Sequence, residues 1–350
     1  MFFTKRKDVV GVDIGTTSIK VVQLRGQDGA YQLQHAGIIP LPPEAIVDNS
    51  LMDTSSIVDA VKNVLKNLGV KDADVASSIS GNSVIIRKIS LPAMPLDELE
   101  EQLQWEAEQY IPFDINDVYI DFQILPQDDN DPSRMSLLLI ASKKDIINDY
   151  VAVFAEAGVK LVVMDVDAFA VQNAYELNNE YSSEEVVALV NIGASMMNLN
   201  IIRYGTSLFT RDVQMGGSLF TEEIQKQLGV SGEEAERIKV SGSYPNSTRF
   251  EEVMLKTSEM VALEIRRSLD FYNSTAGEGK IGKIYLSGGG AKVQMLSGVV
   301  SQMLGVPVEV LNPLSRINYS EKDFDPGYLQ AIGPLMTVAV GLATRRLGDK

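Results

Sequence analysis

The chain has 350 residues, 45% of them apolar and 22% charged, with a net charge of −16, one histidine and no cysteine. That composition belongs to a folded globular protein of two or three domain-sized units. The missing cysteine excludes disulfides, thiolate zinc, iron–sulfur clusters and cysteine nucleophiles, His35 alone cannot build a multi-histidine metal site, and the acidity argues against nucleic acid and anionic lipid as direct partners.

Residues 1–7 (MFFTKRK) lack the apolar stretch of ~7–15 residues that an export signal requires, so a cytoplasmic location is expected. Residues 9–14 form a buried strand that meets a Gly-Thr-Thr turn. Residues 18–24 return as a second strand, 25–29 (RGQDG) turn again, and 31–39 form a third strand on which His35 sits half-exposed. Residues 55–68 carry a helical apolar stripe closed by Gly69. A second amphipathic helix spans 97–110, opened by Pro95 and Asp97 and stopped before Pro112. Strands at 118–125 and 135–141 flank an acidic, Pro-containing loop, and a helix at 144–157 is closed by Gly158. The acidity concentrates here. Between Asp97 and Ser133 there are twelve Asp or Glu and no Lys or Arg, and setting those twelve aside leaves only −4 for the rest of the chain. Residues 91–160 read as a small α+β unit, and 164–178 as a helix linking two halves, with Asp165 and Asp167 as its N-cap pair.

The second half opens as the first did. Residues 188–202 (ALVNIGASMMNLNII) give strand, Gly-Ala-Ser turn and strand, 203–205 turn, and 207–214 form another strand. Placing Asp13 on Asn191, 178 residues later, puts Ile14 on Ile192, Gly15 on Gly193 and Thr17 on Ser195. A repeat of such long period implies two related halves. Helices follow at 217–228, 231–240 and 249–273. A strand from 283 then enters a triple-glycine turn, and a helix at 293–304, a short strand at 306–311 and a last helix around 331–347 complete the chain. The uncharged run 326–344 has its apolar part in 331–343, shorter than the ~20 residues of a bilayer span, so a buried helix is expected. Alternating strands and helices imply α/β layers.

Three turns carry the chemistry. In Asp13-Ile14-Gly15-Thr16-Thr17-Ser18, Gly15 lets backbone approach a ligand, successive amides make an anion-binding concavity, and three hydroxyls add donors. Asp13 suits the water shell of a magnesium ion, and Lys20 adds a nearby positive charge. Taken alone, this is also what a tight hairpin with polar turn residues looks like. The second hairpin, Asn191-Ile192-Gly193-Ala194-Ser195, and the later Ser287-Gly288-Gly289-Gly290-Ala291 turn change that reading, because their order matches the actin-like ATPase superfamily. In that superfamily the two hairpins clasp nucleotide phosphates from opposite halves, and the glycine turn lies against adenosine. Gly216-Gly217, Thr221, and Glu236 and Lys239 at helical spacing resemble the stretch that FtsA-like relatives place over adenosine and ribose. A surface ion pair is the alternative for Glu236 and Lys239.

Over its whole length the chain resembles the PilM family, cytoplasmic actin-like proteins of type IV pilus assembly. The most specific part is WEAEQYIPFDINDVYIDF, residues 105–122. The resemblance implies a duplicated actin-like (ribonuclease H-like) ATPase fold of α/β class with an inserted α+β subdomain, 1C. On that scheme subdomain 1A takes residues 1–87, 164–185 and 331–350, and 1C takes 88–163. Subdomain 2A takes 186–215 and 276–330, and 2B takes 216–275. The resemblance also implies ATP and Mg2+ in the central cleft, Asn191 sharing the magnesium water shell with Asp13. Asp13, acting through magnesium-bound water, is the single catalytic candidate. A groove near 1A and 1C is expected to take the cytoplasmic tail of the inner-membrane protein PilN, with Trp105, Tyr110, Ile111 and Phe113 as contact candidates or else as plain 1C core. A tail beside a membrane span tends to be basic, which the acidic segment complements; a solvated acidic face is the alternative. The protein would then meet the membrane only through this partner. Pilus motor ATPases, a platform protein and self-association stay open.

One departure matters. Many relatives carry Asp where this chain has Asn191, which supplies no charge and no base. A missing base of this kind costs ~10²–10⁴-fold, so slow or negligible hydrolysis is expected. A sugar-kinase-like phosphotransferase is the enzymatic alternative, but no separate base stands out and the 1C-type insert is unexplained by it. An FtsA-like division tether is the other. It would call for a spaced amphipathic membrane helix, where this chain has Leu347, Gly348, Asp349 and Lys350 directly after the apolar helix, and the Phe2, Phe3 and Lys5 to Lys7 cluster is a weak anchor.

Overall fold

In the computed structural model, residues 8–27, 30–126, 131–180, 185–275, 277 and 279–349 are described. Phe2, Phe3, Lys5, Arg6 and Lys7, and also Asp128 and Asp129 of the acidic segment, lie outside them. The first half begins with β1 (Val10–Ile14), β2 (Ser18–Gln27) and β3 (Ala30–Pro40), then a small hairpin of β4 (Ile46–Val47) and β5 (Ser50–Leu51), then α1 (Thr54–Asn67) and β6 (Asp74–Ile79). The chain next builds β7 (Val84–Pro92), α2 (Leu96–Glu108), β8 (Val118–Ile124) and β9 (Arg134–Lys143), and returns through α3 (Lys144–Glu156), β10 (Lys160–Val166) and α4 (Asp167–Asn178). The second half comprises β11 (Val186–Ile192), β12 (Met197–Arg203), β13 (Thr206–Val213), α5 (Ser218–Leu228), α6 (Gly232–Ser241), α7 (Ser247–Thr275), β14 (Ile281–Ser287), α8 (Leu296–Leu304), β15 (Val308–Val310), α9 (Pro326–Ile332) and α10 (Thr337–Ala343).

The two large sheets have one topology. Their orders are β10-β6-β1-β2-β3 and β15-β14-β11-β12-β13, an antiparallel meander extended on one side by two parallel strands. The repeat reaches the register itself. Asp13 faces Lys20 and Ile14 faces Ile19 in the first half, and Asn191 faces Asn198 and Ile192 faces Met197 in the second. Every residue of β11 is buried, which is why its sequence VVALVNI reads as a continuous apolar run and not as an alternation.

Each sheet has its own core. In the first half α1 lays Ile57, Val58, Val61, Val64 and Leu65 on the sheet, its start capped by Asp53, whose carboxylate accepts from the Ser56 amide at 3.1 Å. Each such side chain contributes about 1.5–3 kcal/mol on burial. In the second half Phe220, Ile224, Met254, Ile265 and Tyr272 from α5 and α7 fill the same role. A third cluster joins the halves: Ala170, Val171 and Tyr175 of α4 and Val338 and Leu342 of α10 pack with Val9, Val187, Leu189 and Tyr285. Pro326–Ala343 is long and apolar enough to cross a membrane by composition, yet every residue of α10 is buried in this fold, as the sequence suggested.

Between β6 and β10, the strands β7-β9-β8 form a separate antiparallel sheet with α2 across it, Leu99, Leu103 and Ala107 facing Ile89, Leu137 and Leu139. Five strands were not visible in the sequence. β4, β5, β6 and β7 are absent from the sequence reading, and β10 takes in Met164, Asp165 and Val166, assigned above to the linking helix. β6 reads DVASSI, low in β-branched and aromatic residues, and it is a strand because β1 and β10 pair with it on both sides.

Candidate functional site

The two hairpins meet. Each turn closes with a glycine N–H donating back across it, Gly15 to the Ser18 carbonyl at 3.1 Å and Gly193 to the Met196 carbonyl at 2.8 Å. The tips touch where the Ser195 hydroxyl lies 3.3 Å from that of Thr16. The cleft between them is about 590 Å³, within the range of small-molecule sites. Of the predicted residues Asp13, Gly15, Thr16, Thr17, Ser18 and Lys20 line one wall. Asn191, Gly193, Ala194, Ser195, Gly217, Glu236, Lys239 and Gly288 to Gly290 line the other. Gly216 stands one layer behind. A Cβ there would lie 2.5 Å from the Ala194 carbonyl oxygen, so only glycine lets this strand end run against the hairpin.

The glycine turn has its own steric logic. Gly288 has φ of +80°, and a Cβ there would lie 2.4 Å from the Ile192 carbonyl oxygen; at Gly290 it would lie 2.2 Å from Ile192 Cγ2. Gly289, by contrast, faces open space, with Leu335 as its nearest neighbour at 4.0 Å. The turn thus presents bare backbone to the cleft while pressing its other side on the second hairpin. Glu236 and Lys239 form an ion pair at 2.7 Å, tied to Thr221 at 2.6 and 2.9 Å, and Lys239 also reaches the Gly217 carbonyl at 3.2 Å. The pair is an ion pair, and it lines the cleft.

Asp13 pairs with Lys20 at 3.2 Å, each side chain 14% exposed. At the equivalent position the second half has amides, Asn191 donating to Asn198 at 3.2 Å. Asn191 also accepts from the Ser287 hydroxyl at 3.2 Å, which leaves its carbonyl oxygen only part of its capacity for a magnesium-bound water.

Asp165 and Asp167 do not cap α4. The N-cap residue is Val166 and no side chain serves it. Asp165 is buried beside Arg345 at 3.5 Å, its pKa pushed up by burial. Asp167 is a cleft residue that the sequence reading missed. Ser78 donates to it at 2.6 Å, and burial together with the Asp13 charge raises its pKa from 3.8 to about 6. Tyr150 of α3 closes the same corner, its phenol pushed above the usual range by burial and by Asp167 and Asp13. The signal for Asp167 was its place at a strand-to-helix junction, where first-turn carboxylates gather. The folded pKa of Asp167 exceeds the unfolded one, so the folded chain binds the extra proton between pH 3.8 and about 6. The ligand-free protein should lose stability as pH rises through that window. Asp167→Asn should flatten the loss and stabilise the chain at pH 7–8 by about 1–3 kcal/mol. Urea unfolding from pH 4 to 8 checks this, and equal pH slopes for both proteins would refute it.

Among the described residues no group of three or more His, Asp or Glu is placed to hold a metal. Two carboxylates, Asp13 and Asp167, nonetheless face one cleft, and the like charges raise one pKa. That donor set fits magnesium, which keeps most of its waters and needs one or two carboxylates.

One partner candidate is corrected. Ile111 is 5% exposed within the core of the β7-β9-β8 unit and presents no docking face. Phe113 is half-buried, packing partly against that core beneath the Lys143 ammonium. Trp105, 76% exposed, and Tyr110 are solvent-exposed. Around them Asp97, Glu98, Glu100, Glu101 and Glu108 are exposed, because α2 spends its apolar stripe on the sheet.

Comparison with known proteins accounts for this architecture. A PilM–PilN type IV pilus biogenesis complex is 28% identical, with a TM-score of 0.88 over 99% of this chain and 100% of that one. EutJ, an ethanolamine utilization protein of Carboxydothermus hydrogenoformans, is 18% identical with a TM-score of 0.60 over 97% of this chain and 90% of its own. MreB5 of Spiroplasma citri bound to AMPPNP is 14% identical at 0.52, over 96% and 95%. These last two show the fold alone, which is actin-like. The cell division protein FtsA of Bacillus subtilis (strain 168) is 23% identical over 253 residues, 66% of this chain, which spans 57% of FtsA. The family model described as type IV pilus assembly protein PilM matches residues 11–347, across both hairpins, the inserted sheet and α10, and the chain belongs to the PilM family of type IV pilus assembly proteins.

Proposed function

We propose that this protein is an ATP-binding scaffold of pilus assembly, held on the cytoplasmic face of the inner membrane by the tail of a PilN-type partner. The observation that carries the nucleotide half is the pair of hairpins in one register, tips 3.3 Å apart, with a side-chain-free glycine turn completing the cleft. Successive hairpin amides, Thr16, Thr17 and Ser195 suit the phosphates; Glu236, Lys239 and the Gly288 to Gly290 turn suit the nucleoside. Magnesium, when bound, neutralises phosphate charge. Asp13 and Asp167 would hold its water shell, with Asn191 beside them and Lys20 balancing Asp13.

Turnover on this reading is slow. Asn191 brings neither charge nor base to the second hairpin. Rapid steady-state hydrolysis abolished by Asp167→Asn would refute that point.

The partner half rests on the exposed Trp105 and Tyr110 among the carboxylates of α2, a surface complementary to a basic juxtamembrane tail. The PilM–PilN complex is a precedent in a protein 28% identical. The test is direct titration of the full chain with a fluorescent ATP analogue and magnesium, followed by pull-down with a synthetic PilN-type tail. Saturable binding of both, the tail weakening as salt rises, is expected. Nucleotide-loaded protein that captures no tail would refute the partner half, and no nucleotide uptake would refute the first.

A further inference from the structure

A single row of polar side chains crosses the second sheet, one from each of four adjacent strands. Asp212 of β13 faces Asn198 of β12, Asn198 faces Asn191 of β11, and Asn191 faces Ser287 of β14. The hydrogen bonds all run one way. The Ser287 hydroxyl donates to Asn191 at 3.2 Å, Asn191 donates to Asn198 at 3.2 Å, and Asn198 donates to Asp212 at 2.8 Å. One end of the row adjoins the glycine turn and the middle opens the second hairpin. At the other end the second Asp212 oxygen leaves its own half and accepts from the Gly81 N–H of the first half. Asp212 thus stands between two donors. A carboxylate can accept from both, whereas an amide would turn its NH2 against one of them, so this position requires an acid.

Gly81 is where the first sheet ends and the inserted unit begins, between β6 and β7, and its φ is +72°. The second half grips it twice, because Met196 of the second hairpin also packs there; a Cβ on Gly81 would lie 2.7 Å from Met196 Cε. Asn198 lines the cleft and Asp212 stands behind it. Hydrogen bonds in such a chain polarise one another, and this one links the second hairpin to the Gly81 amide without a break.

We infer that Asp212 is a latch joining the phosphate-facing row of the second half to the root of the inserted unit, coupling nucleotide in the cleft to a basic peptide on that unit. The coupling rests on the functional reading above; the latch itself is a contact of the ligand-free chain. Linkage requires nucleotide to change peptide affinity by the same factor as peptide changes nucleotide affinity, roughly 5–150-fold for couplings of ordinary size.

The test uses the full chain, with hydrogen exchange at residues 80–84 and binding titrations, in wild type, Asp212→Ala and Asp212→Asn. Without ligands, exchange at the Gly81 amide should rise at least ~10-fold in both variants. In wild type, saturating magnesium–ATP should shift the affinity of a synthetic Lys-rich tail peptide by the factor above, and the variants should lose the shift while binding each ligand singly. Unchanged Gly81 exchange in the variants, or coupling that survives in them, overturns the latch. Should Asp212→Ala not fold, Asp212→Asn and the wild-type response of residues 80–84 to nucleotide still decide it, no response counting against it. Failure of wild type to bind nucleotide overturns the functional reading and the coupling, and exchange at Gly81 then judges the latch alone.

Discussion

Converting Asp13 and Lys20 together to asparagine should leave the fold standing and remove magnesium-dependent nucleotide binding. The protein already contains the product of that change. Asn191 and Asn198 occupy the equivalent register in the second half, hydrogen-bonded at 3.2 Å, so the hairpin accepts an amide pair without rearrangement. The first half instead has an ion pair of 3.2 Å between side chains 14% exposed. Asp13→Asn alone should be the worse variant for stability, because it strands the Lys20 ammonium in a partly dry wall, and breaking such a pair from one side costs about 3–5 kcal/mol where burial is complete. The double variant removes both charges and should unfold within a few degrees of wild type. For ligand binding the order reverses. Loss of both the carboxylate for the magnesium water shell and the ammonium for phosphate should raise Kd for magnesium–ATP at least ~100-fold, or about 2.7 kcal/mol. A thermal melt and a fluorescent-nucleotide titration on all three variants give the complete cycle. Wild-type affinity in the folded double variant would mean that these hairpins are structural turns and that nucleotide, if bound, is bound elsewhere.

The same pair shows why so much of the site was legible and where legibility stopped. The offset of 178 residues holds from Asp13 through Lys20 because both hairpins have turns of equal length. It fails one strand later. Asn198 faces Asp212, whereas Lys20 faces Ile38, and those partners are 174 residues apart, since the β2–β3 hairpin is the longer of the two. No internal repeat could therefore point to Asp212, and an acid in a half-buried strand has no local mark. Asp167 was hidden differently. Carboxylates at a helix start usually cap it, and only tertiary structure shows that β10 runs to Val166 and aims the next residue at Ser78. β6, with its serines and alanine, is a strand by virtue of its neighbours. Ile111 lies in the core of the inserted sheet and Phe113 packs against it, a placement that the stretch 105–122 does not reveal because its apolar residues read equally as core or as contact surface.

The packing between the halves gives the other large expected effect. α10 is buried on all sides because it is sandwiched, with β1 on one face and α4 on another, and two glycines make that sandwich thin. A Cβ at Gly341 would lie 1.7 Å from the Ala170 carbonyl oxygen, and one at Gly11 would lie 2.2 Å from that of Ala339. Those neighbours are backbone atoms of regular elements, so they cannot rotate away as a side chain would. Gly341→Ala must push α4 and α10 apart. Overpacking ordinarily costs about 1–3 kcal/mol, and with backbone on both sides the upper figure applies, a fall of about 4 °C in Tm for a chain of this size. Gly298→Ala is the internal control. It sits on the exposed face of α8, where an added methyl would meet nothing within 4 Å, so it should stabilise by about 0.5–1 kcal/mol through lost unfolded-state freedom. Because α4 leads directly from Asp167 and α10 leans on the strand that carries Val12 and Asp13, the Gly341 variant should also weaken magnesium–nucleotide binding, whereas the Gly298 variant should not. If both glycines tolerate alanine alike, in melting and in nucleotide affinity, the close helix crossing does not set the angle of the cleft.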